Sequence, residues 1–371
     1  MKKYTLIIPL AFALAGTSFV TYSFLDTFIV VKNATKVTFS STYDIPLGPT
    51  TSTSSSSPNK SSSASTTSKN GSSSSATTIN QNSHQYYEDL SAEQIAALFT
   101  SSKVFREREH YSDPDIYIDI TTHRDDADTT TYYAADIRIK NLGYFRTALA
   151  NDTFGLNVKE RTSDMCKRHK GILAINGDTY GSQEGGYVIR NGNLQPGQYR
   201  STKNLERKKP DDLIIKKDGT FEIIDERETS FEEVIALDPL HVFSFGPALV
   251  DRNEVKVTER DEVGTALSGN RNQRCAIGIV SPGHYYFVVS DGRNNESKGI
   301  SLYTLANIMK DLHCETAYNL DGGGSATMYL DNGTGNADGL AHLVNVPGQL
   351  QGDSSVKQRE VSDIVYIGKE Q

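Results

Sequence analysis

The stretch AYNLDGGGSATMYL, residues 317–330, sets three consecutive glycines between an aspartate and a hydroxyl. An apolar run ends at Leu320 and hands over to Asp321, Gly322, Gly323, Gly324 and Ser325, so a strand stops where a backbone free to take positive φ begins. A simple turn needs one or two glycines. Three in a row, followed by the hydroxyls of Ser325 and Thr327, fit successive N–H groups turned toward an anion. The segment lacks the G-K-[ST] ending of a nucleotide phosphate loop.

Two other apolar runs end in the same way. KGILAINGDTYG stops at Asn176-Gly177-Asp178, and HYYFVVSDGR stops at Asp291-Gly292-Arg293. Each dipeptide alone reads as a turn. Three apolar strands with polar, glycine-containing ends mark one edge of a sheet, where Asn176, Asp178, Asp291, Arg293, Asn319 and Asp321 are expected to share a cleft. Arg274, Arg293 and Arg359 stand near these ends, and their planar forks suit phosphate oxygens.

The remaining pattern reads as scaffold. Ser91 and Gln94 are spaced as a capping box for a helix over DLSAEQIAALFTS. DIYIDITTHR and TTTYYAADIRIK alternate as half-buried strands around the turn DDAD. GYVIRNGNL and DDLIIKKDGTFEII read as hairpins on Asn191-Gly192 and Asp218-Gly219, and RCAIGIV pairs with HYYFVV around 281–283. Helices are expected near Ser163–Lys170 and over Ser301–His313, where Leu302, Leu305, Ile308, Met309 and Leu312 share a face. The expected fold class is α+β, with a mixed β-sheet core and flanking helices.

The N-terminal part differs in kind. Lys2 and Lys3 precede an apolar run from Tyr4 to Val31 broken by Asp26 alone, which predicts a transmembrane signal anchor over residues 1–32 with the C-terminal part extracellular. The competing reading is a cleavable signal peptide ending at Ala13-Leu14-Ala15. Residues 33–84 are dominated by Ser, Thr, Asn and Lys, too polar to bury a core, and read as a flexible tether. The folded domain is placed at 85–371.

Composition excludes several classes. Among 371 residues a net charge of −8 argues against a nucleic-acid binder working through a basic surface. Cys166, Cys275 and Cys314 are an odd, scattered set, neither a disulfide framework nor a zinc site. No H-x-x-x-H, H-E-x-x-H or G-x-S-x-G occurs.

The segments SDMCKRHKGILAINGDTYG, GYVIRNG, SFGPALV, RCAIGI, VVSDGRNNESKGISLYTLANIMKDLHCETAYNLDGGGSATMYL and REVSDIVYI, with VN at 344–345, resemble in order and spacing the phosphodiester glycosidase family, over about Tyr117 to Gly368. The family's polar motif residues fall on Asn176, Asp178, Arg274, Asp291, Arg293, Asn319, Asp321, Gly322, Gly323, Gly324, Ser325 and Arg359. Its N-G-D-x-Y-G form matches the bacterial branch, whose members are often labelled exopolysaccharide biosynthesis proteins.

The resemblance implies cleavage of a sugar-1-phosphodiester between the anomeric carbon and the phosphate oxygen, releasing a free sugar and a phosphomonoester. Asp321 and Asp178 are then the expected carboxylate pair, with Asp291 the further catalytic acid and Arg293 and the glycine loop holding phosphate. A rival role for the three acids is to bind calcium or magnesium through oxygen. The expected partner is a glycan or sugar-phosphate substrate in the cell wall or an exopolysaccharide. The alternative is a transferase or a non-catalytic wall-binding module on the same scaffold.

Overall fold

The computed structural model describes residues 29–37, 90–100, 105–107, 109–258, 271–331, 333, 343–348 and 357–369. Most of the expected anchor and tether therefore lies outside the described residues. Among the described residues no helix is long and apolar enough to cross a membrane.

In chain order the first strands are β1 (Lys32–Lys36), β2 (Phe105–Glu107), β3 (His110–Ser112), β4 (Ile116–Asp125), β5 (Thr130–Ile139), β6 (Phe145–Leu149), β7 (Thr153–Leu156) and β8 (Leu173–Asn176). There follow β9 (Asp211–Lys216), β10 (Phe221–Asp225), β11 (Pro239–Phe243), β12 (Ala248–Asp251), β13 (Glu254–Val255), β14 (Cys275–Ser281) and β15 (His284–Ser290). The last are β16 (Thr316–Leu320), β17 (Met328–Leu330) and β18 (Asp363–Ile367). Among the described residues four α-helices join them: α1 (Ala92–Leu98), α2 (Thr162–Arg168), α3 (Phe231–Ala236) and α4 (Leu302–Asp311).

This is the expected α+β architecture, dominated by sheet. A nine-stranded sheet runs β13-β12-β16-β14-β15-β5-β4-β3-β2, beside a four-stranded β17-β8-β18-β6, a three-stranded β10-β9-β11 and the pair β1-β7. The described ladders are antiparallel, which narrows the mixed core expected from sequence.

Strict alternation explains the main core. Ile116, Ile118 and Ile120 of β4, with Cys275, Ile277 and Ile279 of β14, point to one face of the large sheet. They meet Leu173 and Ile175 of β8, Val365 and Ile367 of β18 and Leu213 and Ile215 of β9, so the smaller sheets close over that face.

The opposite face receives α4, whose Leu305, Ala306 and Met309 are fully buried against Ala276, Val288 and Ala317. Ser301 caps that helix by accepting from the Thr304 N–H. Gly278 lets it settle closely, since a Cβ there would lie 2.5 Å from Met309 Cε. Each large side chain buried in this way stabilises the fold by roughly 1.5–3 kcal/mol. Beyond the four-stranded sheet, α2 supplies Met165 and Cys166 to a second cluster with Ala148, Ala174 and Tyr366. All three cysteines are buried free thiols.

Two expectations are corrected. The segment GYVIRNG forms no hairpin: Val188 and Ile189 make only isolated bridges, to Arg200 and Val242, and the Gly192 N–H donates to Leu240. The start of the expected tether is also ordered, because β1 pairs with β7 and Val37 is buried against Leu149, Phe154 and Tyr180.

Candidate active site

The three polar strand ends do meet. β14 starts between the ends of β15 and β16, where Cys275 sits opposite both Val289 and Leu320. The end of β8 joins them from the smaller sheet: the Asp321 N–H donates to the Gly177 carbonyl at 3.3 Å, and Asn176 Nδ2 donates to the Asp321 carbonyl at 2.7 Å. Asn176 Oδ1 also accepts from the Thr327 N–H, so this buried amide stitches two strand ends together.

Each glycine of the turn has its own reason. A Cβ on Gly322 would lie 2.6 Å from the Gln273 carbonyl oxygen. Gly323 takes φ +62°, in the left-handed region, where a Cβ would meet Asn272 and Arg293 only at ordinary contact distances of 3.7–4.0 Å. A Cβ on Gly324 would lie 2.9–3.1 Å from the Arg359 guanidinium, which rests over that residue.

The N–H groups of the turn are largely engaged within the protein. Gly322 donates to Asp321 Oδ1, Gly323 to the Gln273 carbonyl, and Ser325 to the Gly322 carbonyl. Gly324 keeps the N–H of the turn with no partner among the described residues. The cradle of successive N–H groups expected from sequence is thus reduced to one donor, flanked by side chains: Arg359 over Gly324, and Arg293 with Asn272 about Gly323. Arg293 is exposed at a positive φ of 59°. Asn272 Oδ1 is buried without a hydrogen bond.

Asp321 stands half-buried beside this group. Burial is the largest influence on its carboxyl and, with the charge of Asp178, raises its pKa. The Ser325 hydroxyl, the Arg359 charge and the Gly322 N–H oppose that shift. A carboxylate with a guanidinium alongside, at a strand end open to solvent, can act at a reacting carbon while an adjacent cation takes up developing negative charge.

The other expected acids are held differently. Asp178 is buried, accepts from the Tyr180 N–H at 2.9 Å and the Ser244 N–H at 3.0 Å, and forms an ion pair with Arg190, Nη2 lying 2.9 Å from Oδ1. Asp291 accepts from the Tyr133 hydroxyl at 3.1 Å and the Val346 N–H at 2.8 Å, and burial pushes its carboxyl up to about 6 against those two bonds. Among the described residues no three His, Cys, Asp or Glu side chains are grouped to hold a metal ion.

Arg274 Nε donates to the Ile300 carbonyl, and Asn319 Nδ2 to the Gly246 carbonyl, so each braces a loop beside the sheet. Two residues that the sequence reading passed over complete the floor of the site. Arg190, wholly buried, spans Asp178 and Asp363, with Nε 2.8 Å from Asp363 Oδ2 and its guanidinium 4.2 Å above the Phe243 ring. Gly177 admits that acid, since a Cβ there would lie 2.4 Å from Asp363 Oδ1.

Comparison with known proteins bears on the fold and the family. The curated protein described as SPbeta prophage-derived uncharacterized protein YomE, from Bacillus subtilis (strain 168), is 27% identical over 175 residues. That match covers 47% of this chain and 26% of YomE, so the chain spans less than two thirds of that relative. Among solved structures, the zebrafish N-acetylglucosamine-1-phosphodiester alpha-N-acetylglucosaminidase catalytic domain, described as auto-inhibited by its pro-peptide, superposes with a TM-score of 0.51 at 21% identity. The superposition covers 77% of this chain and 94% of the zebrafish one and speaks to the fold. A hypothetical protein from Synechocystis has a TM-score of 0.49 at 14% identity, covering 69% and 62% of the two chains. Residues 169–368, more than half of the chain, match the family model described as phosphodiester glycosidase, and they include Asp178, Arg190, Arg293, Asp321, Arg359 and Asp363. The chain belongs to the phosphodiester glycosidase family.

Proposed function

We propose that this chain, a glycosidase-type hydrolase by family, cleaves a sugar-1-phosphodiester at the anomeric carbon. The observation that carries the reading is the placement of Arg359 over Gly324 and of Arg293 beside Gly323, next to the Asp321 carboxyl. Two guanidiniums suit a phosphate leaving group, which is weakly basic and needs charge stabilisation more than a proton. Asp321 is then the acting carboxylate, at the carbon where positive charge develops. Water supplies hydroxide to that carbon, the C–O bond to phosphate breaks, and the products are a free sugar and a phosphomonoester. Asp178, with its oxygens committed to Arg190 and two N–H groups, supports Asp321 from beneath.

The apolar run behind Lys2-Lys3 supports a single-pass anchor and an extracellular domain acting on cell-wall or exopolysaccharide glycans. Turnover of a sugar-1-phosphodiester is compared with that of a matched aryl glycoside lacking phosphate. A strong preference for the phosphodiester is expected. Equal activity on both would remove the role given to the arginines, and activity on neither would favour a binding module.

A further inference from the structure

The N-terminal strand is not where a tethered domain would have it. Lys32–Lys36 pairs antiparallel with β7, the Val37 N–H donates to the Asp152 carbonyl at 2.8 Å, and Asn157 Nδ2 donates to the Val30 carbonyl at 2.9 Å. Gly155 exists for this contact: a Cβ there would lie 2.8 Å from Ala34 Cα and 2.9 Å from the Lys32 carbonyl oxygen. The chain is back on the domain by α1, where the Ser112 hydroxyl donates to the Leu98 carbonyl and Lys140 sits over the Phe99 ring. Both ends of the Ser/Thr-rich segment are thus fastened to the same body.

Immediately before β1, Ile29, Val30 and Val31 are 55%, 46% and 52% exposed, an apolar patch continuous in sequence with the run from Tyr4. We infer that the β1–β7 pair clips the domain flush against the lipid surface, with Ile29, Val30 and Val31 at headgroup depth. This rests on the anchor reading above. A free tether of some fifty residues would let the domain range over roughly 40 Å. The clip confines it to substrates whose phosphodiester lies close to the bilayer.

The test uses the full chain in phosphatidylethanolamine and phosphatidylglycerol vesicles carrying headgroup-proximal spin-labelled lipid. A fluorophore is placed on Lys159→Cys, near the β7 end, and the buried native thiols leave that site selective. Fluorescence should fall roughly twofold or more if the label lies within about 5–10 Å of the interface. Gly155→Val, which bars β1, should abolish the quenching while the protein stays in the membrane fraction. Should that variant fold poorly, a flexible Gly/Ser insertion between Val31 and Lys32 keeps the clip, lifts the domain and should abolish quenching without loss of activity. A membrane-bound parent with no quenching, or quenching indifferent to either change, overturns the clip. A chain that never partitions with membranes overturns the anchor reading and the clip with it.

Discussion

Arg190 Nε lies 2.8 Å from Asp363 Oδ2, and neither side chain reaches solvent. The pair is 173 residues apart in sequence, and the same guanidinium holds Asp178 at 2.9 Å. Two carboxylates about one cation leave an uncompensated buried negative charge when both are ionised. Burial, then the charges of Asp178 and Asp321, push Asp363 up to about 7 against the pull of Arg190.

The sign of the resulting pH dependence is fixed. Because the folded-state pKa of Asp363 is raised above its unfolded value near 3.8, its contribution is fully present below that value and lost as pH rises through about 7. Asp291, pushed up to about 6, acts in the same direction. Stability, read as melting temperature, is expected to fall between about pH 4 and about pH 7, by at most about 1.4 kcal/mol per pH unit per proton. Asp363→Asn should flatten that slope. A variant whose Tm profile parallels the parent's would show that the proton sits elsewhere.

Removing the cation is a harsher change. Arg190→Met leaves Asp178 and Asp363 facing each other in a dry interior, and a loss of about 3–5 kcal/mol is expected. Arg190→Lys keeps the charge but not the fork that reaches both acids and the Val242 carbonyl, so an intermediate loss is expected. Urea melts decide it. A fully stable Arg190→Met protein would mean that the acids find other partners.

Much of this was legible in the sequence because the signal was local. Ile116, Ile118 and Ile120 alternate, Leu302 to Met309 recur at helical spacing, and the three polar strand ends converge as their endings suggest. What was not legible depends on distant partners. Asp363 opens an apolar strand, where an acid usually faces water, and nothing near it in sequence announces Arg190. KNATK has no apolar period at all, so β1 is a strand only because β7 offers an edge and Gly155 leaves room. The glycine loop reads in sequence as an anion nest, yet three of its N–H groups close on Asp321, Gln273 and Gly322.

The three glycines should therefore fail in three ways when changed to alanine. Gly322→Ala pushes against backbone at 2.6 Å and should lower stability by roughly 1–3 kcal/mol. Gly323→Ala meets its neighbours only at ordinary contact distance but sits at a left-handed φ, a cost of about 1 kcal/mol. Gly324→Ala meets only the end of the exposed Arg359 side chain, so the melt should hardly move while KM for the phosphodiester rises. Equal effects of all three on KM would return the loop to the role of an N–H cradle.

The two carboxylates first paired from sequence should separate under the same substitution. Asp321→Asn keeps the shape and an oxygen for the Gly322 N–H, and it removes a charge that burial already disfavours, so Tm should hold or rise. Turnover of a sugar-1-phosphodiester should nonetheless fall by roughly two to four orders of magnitude, as for loss of a group acting at the reacting atoms. Asp178→Asn turns an amide N–H toward Arg190, the Tyr180 N–H or the Ser244 N–H, all of them donors. It should cost about 1–3 kcal/mol of stability, and its activity loss should track the displacement of that loop. Parallel melts and kcat measurements on the two variants separate the roles. A stable, inactive Asp178→Asn beside an active Asp321→Asn would exchange them, and full activity in Asp321→Asn would end the assignment of this carboxylate to the chemistry.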